Sequence, residues 1–140
     1  MTTQRVTFEL ADRFMRAIES GDAEAIAACY APDARIWHNN DGREQGPAEN
    51  LLVLRWVEER LKNRKYEIVS RHAFPDGYVQ QHVLSGTLRD GTPFRMPACL
   101  VVTVENGRIT RLAEYLDSAH VQPLLNARAP RVGTVSETSF

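Results

Sequence analysis

The sequence predicts an α+β domain in which a curved antiparallel sheet forms a cone, with three N-terminal helices on its concave face. In the first half of the chain, apolar residues recur at the spacing of amphipathic helices. From Lys65 onward the apolar period shortens to about two, and short glycine-containing turns separate the segments. A sheet with one apolar face has to bury that face, and the preceding helices are the elements that can cover it.

The first helix is predicted by a single apolar stripe. Val6, Leu10, Phe14 and Ile18 recur every four residues, as one buried face of a helix requires. Gly21 is suited to end this helix, because glycine adopts the left-handed conformation without strain.

A short second helix, a short strand and a longer third helix are predicted next. Asp22 is a typical N-cap for the second helix, and Pro32 ends that helix. The stretch from Ala34 to Trp37 is predicted as the strand, and Pro47 suits the first turn of the third helix. The apolar face of the third helix is predicted to consist of four residues: Leu51, Leu54, Val57 and Leu61.

Four further strands are predicted to pair as an antiparallel meander. Tight turns at Pro75-Asp76-Gly77, Asp90-Gly91 and Asn106-Gly107 separate them, and Asn-Gly is the strongest hairpin signal of the three. The predicted strands are Tyr66–Phe74, Tyr78–Arg89, Phe94–Glu105 and Arg108–Asp117.

The composition indicates one globular domain. The chain has 140 residues and a net charge of −1, which gives it no attraction to nucleic acid or to an anionic membrane. No apolar run approaches the ~20 residues of a membrane span, and the N-terminus lacks the apolar core of a secretory signal. We therefore expect a cytoplasmic protein with one domain at residues 1–126 and a tail at residues 127–140.

The cysteine and motif content gives no indication of a cofactor. Cys29 and Cys99 lie in apolar contexts, so two free buried thiols are expected rather than a disulfide. No close group of cysteines and histidines appears, and there is no Gly-rich dinucleotide loop or nucleophile elbow. Neither a metal ion nor an organic cofactor is expected.

Three segments resemble the nuclear transport factor two-like superfamily, which includes SnoaL-like, ketosteroid-isomerase-like and limonene-epoxide-hydrolase-like cones. They are Phe14–Asp22, Tyr30–Ile36 and Asn106–Tyr115, within a resemblance that extends from Val6 to Leu125. The resemblance implies a sheet curled around a deep apolar pocket that the helices cover, and it implies a homodimer. It does not specify the chemistry, because this fold hosts several kinds of enzyme as well as non-enzymes.

The resemblance to ketosteroid isomerases fails at the residues that carry their chemistry. Where those enzymes place a carboxylate base, this chain has His38, and where they place a tyrosine that donates to the oxyanion, it has Phe14. Their acidic partner falls near Leu100, which cannot donate a hydrogen bond. Steroid isomerisation by that mechanism is therefore not expected.

The resemblance to limonene-epoxide hydrolases is partial. Their Tyr-His-Asn run falls on Trp37-His38-Asn39, so the asparagine that holds the attacking water is kept and the phenol is lost. Their Arg-x-Asp falls on about His82-Val83-Leu84, and their final aspartate falls on Glu114. Leu84 removes the acid that protonates the epoxide oxygen, which argues against epoxide hydrolysis.

Glu114 is the leading candidate for a catalytic residue. Strand alternation places it between Leu112 and Leu116, on the face that is expected to line the core. A carboxylate in apolar surroundings is expected to have a raised pKa, which suits it to proton transfer, whereas a nearby imidazolium would lower that pKa. The alternatives are a buried structural ion pair, for example with Arg95, and a register that turns Glu114 outward.

His38 is predicted to share the site with Glu114. It lies on the same strand face as Ile36, whereas Trp37 and Asn39 lie on the opposite face. A bulge at the end of this strand would bring both faces to the pocket. Imidazole is an effective proton carrier near pH 7. The alternative is a loop histidine that is satisfied by the backbone.

His82 is the third predicted catalytic residue, on the same strand face as Gln80. Its alternative is an exposed position on the convex face of the sheet. The aromatic and methionine candidates have a simpler alternative, which is plain core packing. Six residues are predicted to contact the substrate: Phe14, Tyr30, Trp37, Asn39, Gln80 and Met96.

Two functions are compatible with these patterns. The first is a small cofactor-independent enzyme that acts by general acid–base chemistry on an apolar small molecule, as an isomerase, cyclase, dehydratase or hydrolase. The second is a non-catalytic ligand-binding or accessory module of the same fold, again as a dimer. Polar side chains that converge inside the pocket favour the enzyme, whereas an exposed apolar patch away from the pocket favours the accessory module.

Overall fold

The computed structural model describes residues 3–127, which form four α-helices and one six-stranded sheet. The helices are α1 (Thr3–Ser20), α2 (Ala23–Cys29), α3 (Pro47–Arg60) and α4 (Ser118–Asn126). The strands are β1 (Tyr30–His38), β2 (Glu44–Gln45), β3 (Leu61–Phe74), β4 (Gly77–Leu88), β5 (Pro93–Glu105) and β6 (Arg108–Leu116). The predicted tail lies outside the described residues, except for Ala127.

The sheet is curved and unclosed, with the strand order β2-β1-β6-β5-β4-β3. Its last four strands form the predicted antiparallel meander. β1 pairs with β6 in parallel, so the sheet is mixed, and the expectation of a wholly antiparallel sheet is corrected at this pair. A parallel pair needs a long connection, which here is the whole chain from β2 to β5. The predicted α+β fold class is confirmed.

Local sequence signals set the boundary between α1 and α2. Gly21 has a φ of 75°. Its N–H donates to the Ile18 carbonyl at 3.2 Å, and the Asp22 N–H donates to the Ala17 carbonyl at 3.1 Å. This arrangement ends a helix by satisfying its last carbonyl groups. Asp22 then caps α2, because its Oδ1 accepts a hydrogen bond from the Ala25 N–H at 3.1 Å.

The buried face of α3 agrees in part with the predicted one, because Val57 is buried and Leu51 and Leu54 are partly buried against the core. Leu61 is buried too, but it belongs to β3. The Arg60 guanidinium lies 4.3 Å from the Trp56 ring centroid, so the long cationic side chain is buried along an aromatic surface. The residues of α3 that are buried are Asn50, Val53, Trp56, Val57 and Arg60.

Two clusters of buried apolar side chains fill the space between the helices and the sheet. The larger cluster joins α1, α2 and β1 to β4, β5 and β6, and it includes Phe14 and Tyr78. The second joins α3 to β3, β4, β5 and α4, and it includes Trp56 and Leu124. α4, which the sequence analysis does not predict, therefore completes the core beside the end of β6.

Two further expectations concern the state of the cysteines and the presence of a membrane-crossing helix. Both cysteines are free, and Cys29 is buried, whereas Cys99 is only partly buried. The expectation of two buried thiols therefore holds for Cys29 alone. Within residues 3–127, no helix combines the length and the apolar character that a membrane crossing requires.

Gly77 is expected to be intolerant of any side chain. A Cβ at this position would lie 1.8 Å from the Val102 carbonyl oxygen and 3.0 Å from the Phe74 ring. Because the obstacle is backbone, Gly77→Ala is expected to lower the free energy of unfolding by at least about 1–3 kcal/mol, measured by urea denaturation. Gly46→Ala is the control for the added methyl group, since nothing lies within 4 Å of its added Cβ, and its only expected loss is that of a weaker N-cap for α3. Equal stability of the two variants would contradict this packing.

Candidate functional site

A small cavity lies between the helices and the concave face of the sheet, with about 60 Å³ of free space. That is room for roughly four water molecules, at about 15 Å³ each. Side chains from α1, β1, α3 and β3 to β6 form its wall, and most of them are apolar. The polar side chains in the wall are Tyr30, His38, Asn50, Tyr66, His82 and Glu114.

The register of the sheet explains why the predicted catalytic residues meet in this wall. His38 lies opposite Glu114 in the parallel ladder between β1 and β6. Leu100 of β5 lies opposite Glu114 on its other side, and Gln80 of β4 lies opposite Leu100. His82 is two residues from Gln80 and therefore shares its face of the sheet. The structure thus brings Glu114, His38 and His82 to one cavity, as the sequence predicts.

His38 and Glu114 form a direct polar contact. The His38 Nε2 lies 3.1 Å from the Glu114 Oε1, and the two side chains are only 6% and 14% exposed. The sequence-level alternative of an ion pair between Glu114 and Arg95 is not what the structure shows. The carboxylate instead pairs with an imidazole, a group that itself gains and loses a proton near neutral pH.

Each member of this pair shifts the pKa of the other. Burial alone would raise the pKa of Glu114, but the hydrogen bond and charge of His38, together with the charge of His82, bring it below its ordinary value. Burial alone would lower the pKa of His38, but the hydrogen bond and charge of Glu114, with the charge of Asp41, raise it above its ordinary value. The pair therefore favours an ionised carboxylate beside a protonated imidazole.

His82 occupies a different electrostatic environment. Burial lowers its pKa, the Glu114 carboxylate opposes that effect, and Arg71 adds to the lowering. The balance keeps the pKa of His82 below its ordinary value, so this imidazole is neutral near pH 7. Its ring packs edge to face against Tyr66, with the ring centroids 5.5 Å apart.

Asn50 and Tyr66 are polar residues of the wall that the sequence analysis did not identify. The Asn50 Oδ1 accepts a hydrogen bond from the Tyr30 hydroxyl at 3.0 Å, and both residues are buried. Tyr66 also faces the cavity, and burial, followed by the charge of Glu114, raises its pKa well above the ordinary value. Its phenol is therefore a hydrogen-bond donor at neutral pH. The sequence feature that could have indicated a polar residue in the wall was Asn50, an amide beside the apolar residues of the third helix.

Trp37 and Asn39, which the sequence analysis assigns to substrate binding, do not line this cavity. Trp37 packs edge to face against Tyr115, with the centroids 5.3 Å apart. The Asn39 side chain joins the end of β1 to β6, because its Nδ2 donates to the Leu116 carbonyl at 3.1 Å and its Oδ1 accepts from the Leu116 N–H at 2.9 Å. The expected bulge is absent between Arg35 and His38, so alternation keeps Trp37 on the opposite face.

The other predicted contact residues divide into two groups. Phe14, Tyr30 and Met96 lie in the cavity wall, as predicted. Gln80 is completely buried and lies one layer behind the wall, where it contacts His82.

Among residues 3–127, no group of three or more histidine, cysteine or acidic side chains is placed to hold a metal ion.

Residues 11–112 match the family model described as the SnoaL-like domain, so the chain belongs to the family of SnoaL-like domains. This is the fold family whose resemblance the sequence segments carry, and the assignment is confirmed. Comparison with curated protein sequences gives no significant match.

Solved structures share this fold at low sequence identity. PrhC from Penicillium brasilianum superposes with a TM-score of 0.80 at 18% identity, over 89% of each chain. IdmH from Streptomyces antibioticus, described as a candidate polyketide cyclase, gives 0.75 at 20% identity, over 86% of this chain and 99% of its own. A limonene-epoxide-hydrolase-like epoxide hydrolase of M. tuberculosis gives 0.71 at 18% identity, over 86% and 89%. At these identities the likeness shows the fold, and the chemistry has to come from the site.

Proposed function

We propose that this protein is a cofactor-independent enzyme that acts by general acid–base catalysis on a small, largely apolar molecule in the cavity. The observation that carries this proposal is the contact of 3.1 Å between His38 and Glu114 in a wall that also holds His82. Buried charged groups reduce stability unless they are paired, and clusters with perturbed pKa values are typical of active sites. Glu114 is the general base, His38 is the proton donor, and the neutral His82 is a hydrogen-bond donor to the substrate.

The electrostatics support this division of roles. The lowered pKa keeps Glu114 ionised at neutral pH, so it is ready to accept a proton. The raised pKa of His38 favours its protonated form, so it holds a proton that can be returned to the product. Abstraction by Glu114 and return by a histidine are the two steps shared by isomerisation, cyclisation, dehydration and water addition.

The wall of the cavity limits the substrate. Free space of about 60 Å³ admits a molecule of only a few non-hydrogen atoms unless the wall moves. Met15 and Met96 lie in the wall, and methionine side chains adapt their shape more readily than branched ones. We therefore propose an apolar substrate with one or two oxygen atoms, which enters as these side chains rearrange.

The most direct test is a panel of small apolar ketones, enones, epoxides and unsaturated alcohols, incubated with the protein in D₂O and followed by NMR. Catalysed proton abstraction appears as deuterium incorporation even when no later step follows. The expected result is incorporation or conversion with the wild type and not with Glu114→Gln. Binding of panel members without any exchange or conversion would instead favour the non-catalytic ligand-binding module, which the small apolar cavity also suits.

We further propose that the protein is a cytoplasmic homodimer that associates through the convex face of the sheet. Val69, Val101 and Tyr115 on this sheet are 61%, 36% and 47% exposed. Apolar side chains exposed together on a sheet are typical of an interface between subunits.

Light scattering at micromolar concentration is expected to give the mass of a dimer, and Val69→Glu is expected to give that of a monomer, because the interface would bury an unpaired charge. Leu52→Glu is the matched control, since Leu52 is 59% exposed and lies on α3, away from the sheet. A monomeric wild type would refute the proposed dimer.

A further inference from the structure

Behind the cavity wall, a chain of hydrogen bonds runs from α1 to His82. The Arg71 Nη1 donates to the Asp12 Oδ1 at 2.6 Å. Arg71 also donates twice to the Gln80 Oε1, from Nε at 2.9 Å and from Nη2 at 2.7 Å. The Gln80 Nε2 lies 3.0 Å from the His82 Nδ1 and 3.3 Å from the Met15 Sδ. Gln80 is completely buried, whereas Asp12 at the other end of this chain of hydrogen bonds is 54% exposed.

Arg71 determines which way the Gln80 amide faces. A guanidinium group only donates hydrogen bonds, so the amide atom that it contacts must be the oxygen. The nitrogen of the amide, with its two N–H groups, then faces His82 and Met15. All four hydrogen-bonding positions of the amide are used in this orientation. A rotation by 180° would point N–H groups at the guanidinium and lose every one of these bonds.

The orientation of Gln80 in turn decides where the proton of His82 lies. The Gln80 Nε2 donates, so the His82 Nδ1 has to accept. A ring nitrogen that accepts carries no proton, and a neutral imidazole carries one proton on its other nitrogen. That nitrogen is Nε2. Protonation of Nδ1 would bring two donors face to face in a buried site, where an unsatisfied donor costs about 1–3 kcal/mol.

We propose that Gln80, held by Arg71 and Asp12, is a positioning residue that keeps His82 as a neutral imidazole with its proton on Nε2. This inference rests on the proposed function and sharpens it. His82 then offers the substrate a hydrogen-bond donor and cannot serve as the base, so the substrate carries an oxygen acceptor such as a carbonyl or hydroxyl group. Proton abstraction is left to Glu114.

The surroundings of His82 support the same state. Besides Gln80, the charged or titratable groups around the ring are Arg71 and Tyr66 from β3 and Glu114 from β6. Burial and Arg71 disfavour the imidazolium, and only the Glu114 carboxylate favours it. The result is a pKa below the ordinary value for histidine, which agrees with the neutral ring that the hydrogen bonds require.

The tautomer can be observed directly in the wild-type protein, without any substrate. Long-range ¹H–¹⁵N NMR separates ring nitrogens that carry a proton from those that do not, and the His82 signals are assigned by their loss in His82→Asn. At pH 7 we expect the Nδ1 of His82 to be unprotonated and its Nε2 to be protonated. A proton on Nδ1, alone or together with Nε2, would overturn the inference.

Gln80→Glu tests the cause of this state. The carboxylate keeps the shape and the contact with Arg71, but it can only accept, so His82 is expected to move to the Nδ1-protonated or doubly protonated form. Where the ring takes the neutral Nδ1-protonated form, the kcat/KM on a substrate of the panel should fall by up to about 10²-fold, because Nε2 then has no proton to donate. The doubly protonated form keeps that donor, and the NMR spectrum distinguishes the two forms. Gln4→Glu is the control, since Gln4 is exposed on α1 and lies neither in the cavity wall nor on the sheet.

The control is expected to leave the His82 spectrum and kcat/KM unchanged. An unchanged His82 spectrum in Gln80→Glu would refute the role of Gln80. The two proposals also fail separately. Unchanged turnover in Glu114→Gln would refute the catalytic function and leave the tautomer intact, whereas a proton on Nδ1 in the wild type would refute the positioning role and leave the function of Glu114 intact.

Discussion

Glu114→Gln is expected to reduce turnover by at least about 10²-fold, the low end of what a positioned acid–base group contributes. Glutamine preserves the shape of the side chain and its hydrogen-bonding oxygen, but it cannot accept a proton at neutral pH. The measurement is kcat and kcat/KM on a substrate from the panel, by NMR or absorbance. Because the lost interaction belongs to the transition state, kcat and kcat/KM should fall together.

The stability of this variant separates a loss of chemistry from a loss of structure. Glutamine removes the desolvation penalty of a charge that is only 14% exposed, but it also removes the ion pair with His38, so the free energy of unfolding should stay near the wild-type value. Glu67→Gln is the control, because Glu67 is exposed on β3 and distant in the sheet from β6. Wild-type turnover in Glu114→Gln would remove Glu114 from the mechanism.

His38→Leu is expected to cause the largest loss of stability among the site variants, about 3–5 kcal/mol at pH 7. Leucine fills much of the space of the imidazole but cannot donate to Glu114, so the carboxylate is left buried without its partner. Urea denaturation measures this loss. Addition of Glu114→Gln to His38→Leu should recover most of it, since the unpaired charge is then gone. A double variant no more stable than His38→Leu would show that packing, not charge, is the cause.

The pH dependence of stability follows from the same pair. The lowered pKa of Glu114 stabilises the fold above the ordinary value of 4.5, and this contribution is lost as the pH falls through the folded-state pKa. The raised pKa of His38 stabilises the fold below the ordinary value of 6.5, and this contribution is lost as the pH rises through the folded-state pKa. The contribution of the pair is therefore greatest between pH 4.5 and 6.5.

The maximum that the His38–Glu114 pair adds to the stability of the fold should be absent in His38→Leu. Without the imidazole, burial raises the pKa of Glu114, so the folded variant binds a proton that the unfolded chain has released. Its stability should then fall as the pH rises above the ordinary carboxyl value, and the deficit relative to wild type should be smallest in acid. If the free energy of unfolding of the wild type and of His38→Leu changed with pH in the same way, that result would contradict an ion pair between His38 and Glu114.

The strand pattern of the second half could be read from the sequence with small errors at the ends. Asn106-Gly107 forms the turn between β5 and β6, where Asn106 and Gly107 have φ values of 52° and 74°. β3 begins at Leu61, five residues before the predicted start at Tyr66, because α3 passes directly into it. β3 is an edge strand, so its exposed charged residues conceal the alternation that marks a strand.

α4 and part of the buried face of α3 could not be read in this way. α4 contains only nine residues with Pro123 inside, and its buried Val121 and Leu124 are too few to define a helical period. On α3 the leucine stripe predicted only part of the buried face, since Val57 is buried and Leu51 and Leu54 pack against the core. Trp56 and Arg60 were not predicted to be buried; burial of Trp56 removes a large apolar surface from water, and Arg60 lies along its ring. The formation of α4 and the burial of residues on α3 both depend on contacts with residues that are distant in the chain.

The sequence by itself determined which candidate side chains share a face of their strand, because the alternation within a strand is local. It therefore placed Glu114 with Leu112 and separated His38 from Trp37. Which strands lie side by side was decided only by the tertiary structure. The parallel pairing of β1 with β6 brings His38 within 3.1 Å of Glu114, although 75 residues separate them in the chain, and no local signal specifies that pairing. The tautomer of His82 likewise depends on Arg71 and Asp12 from other elements, since a proton is positioned by the donors and acceptors that folding assembles around it.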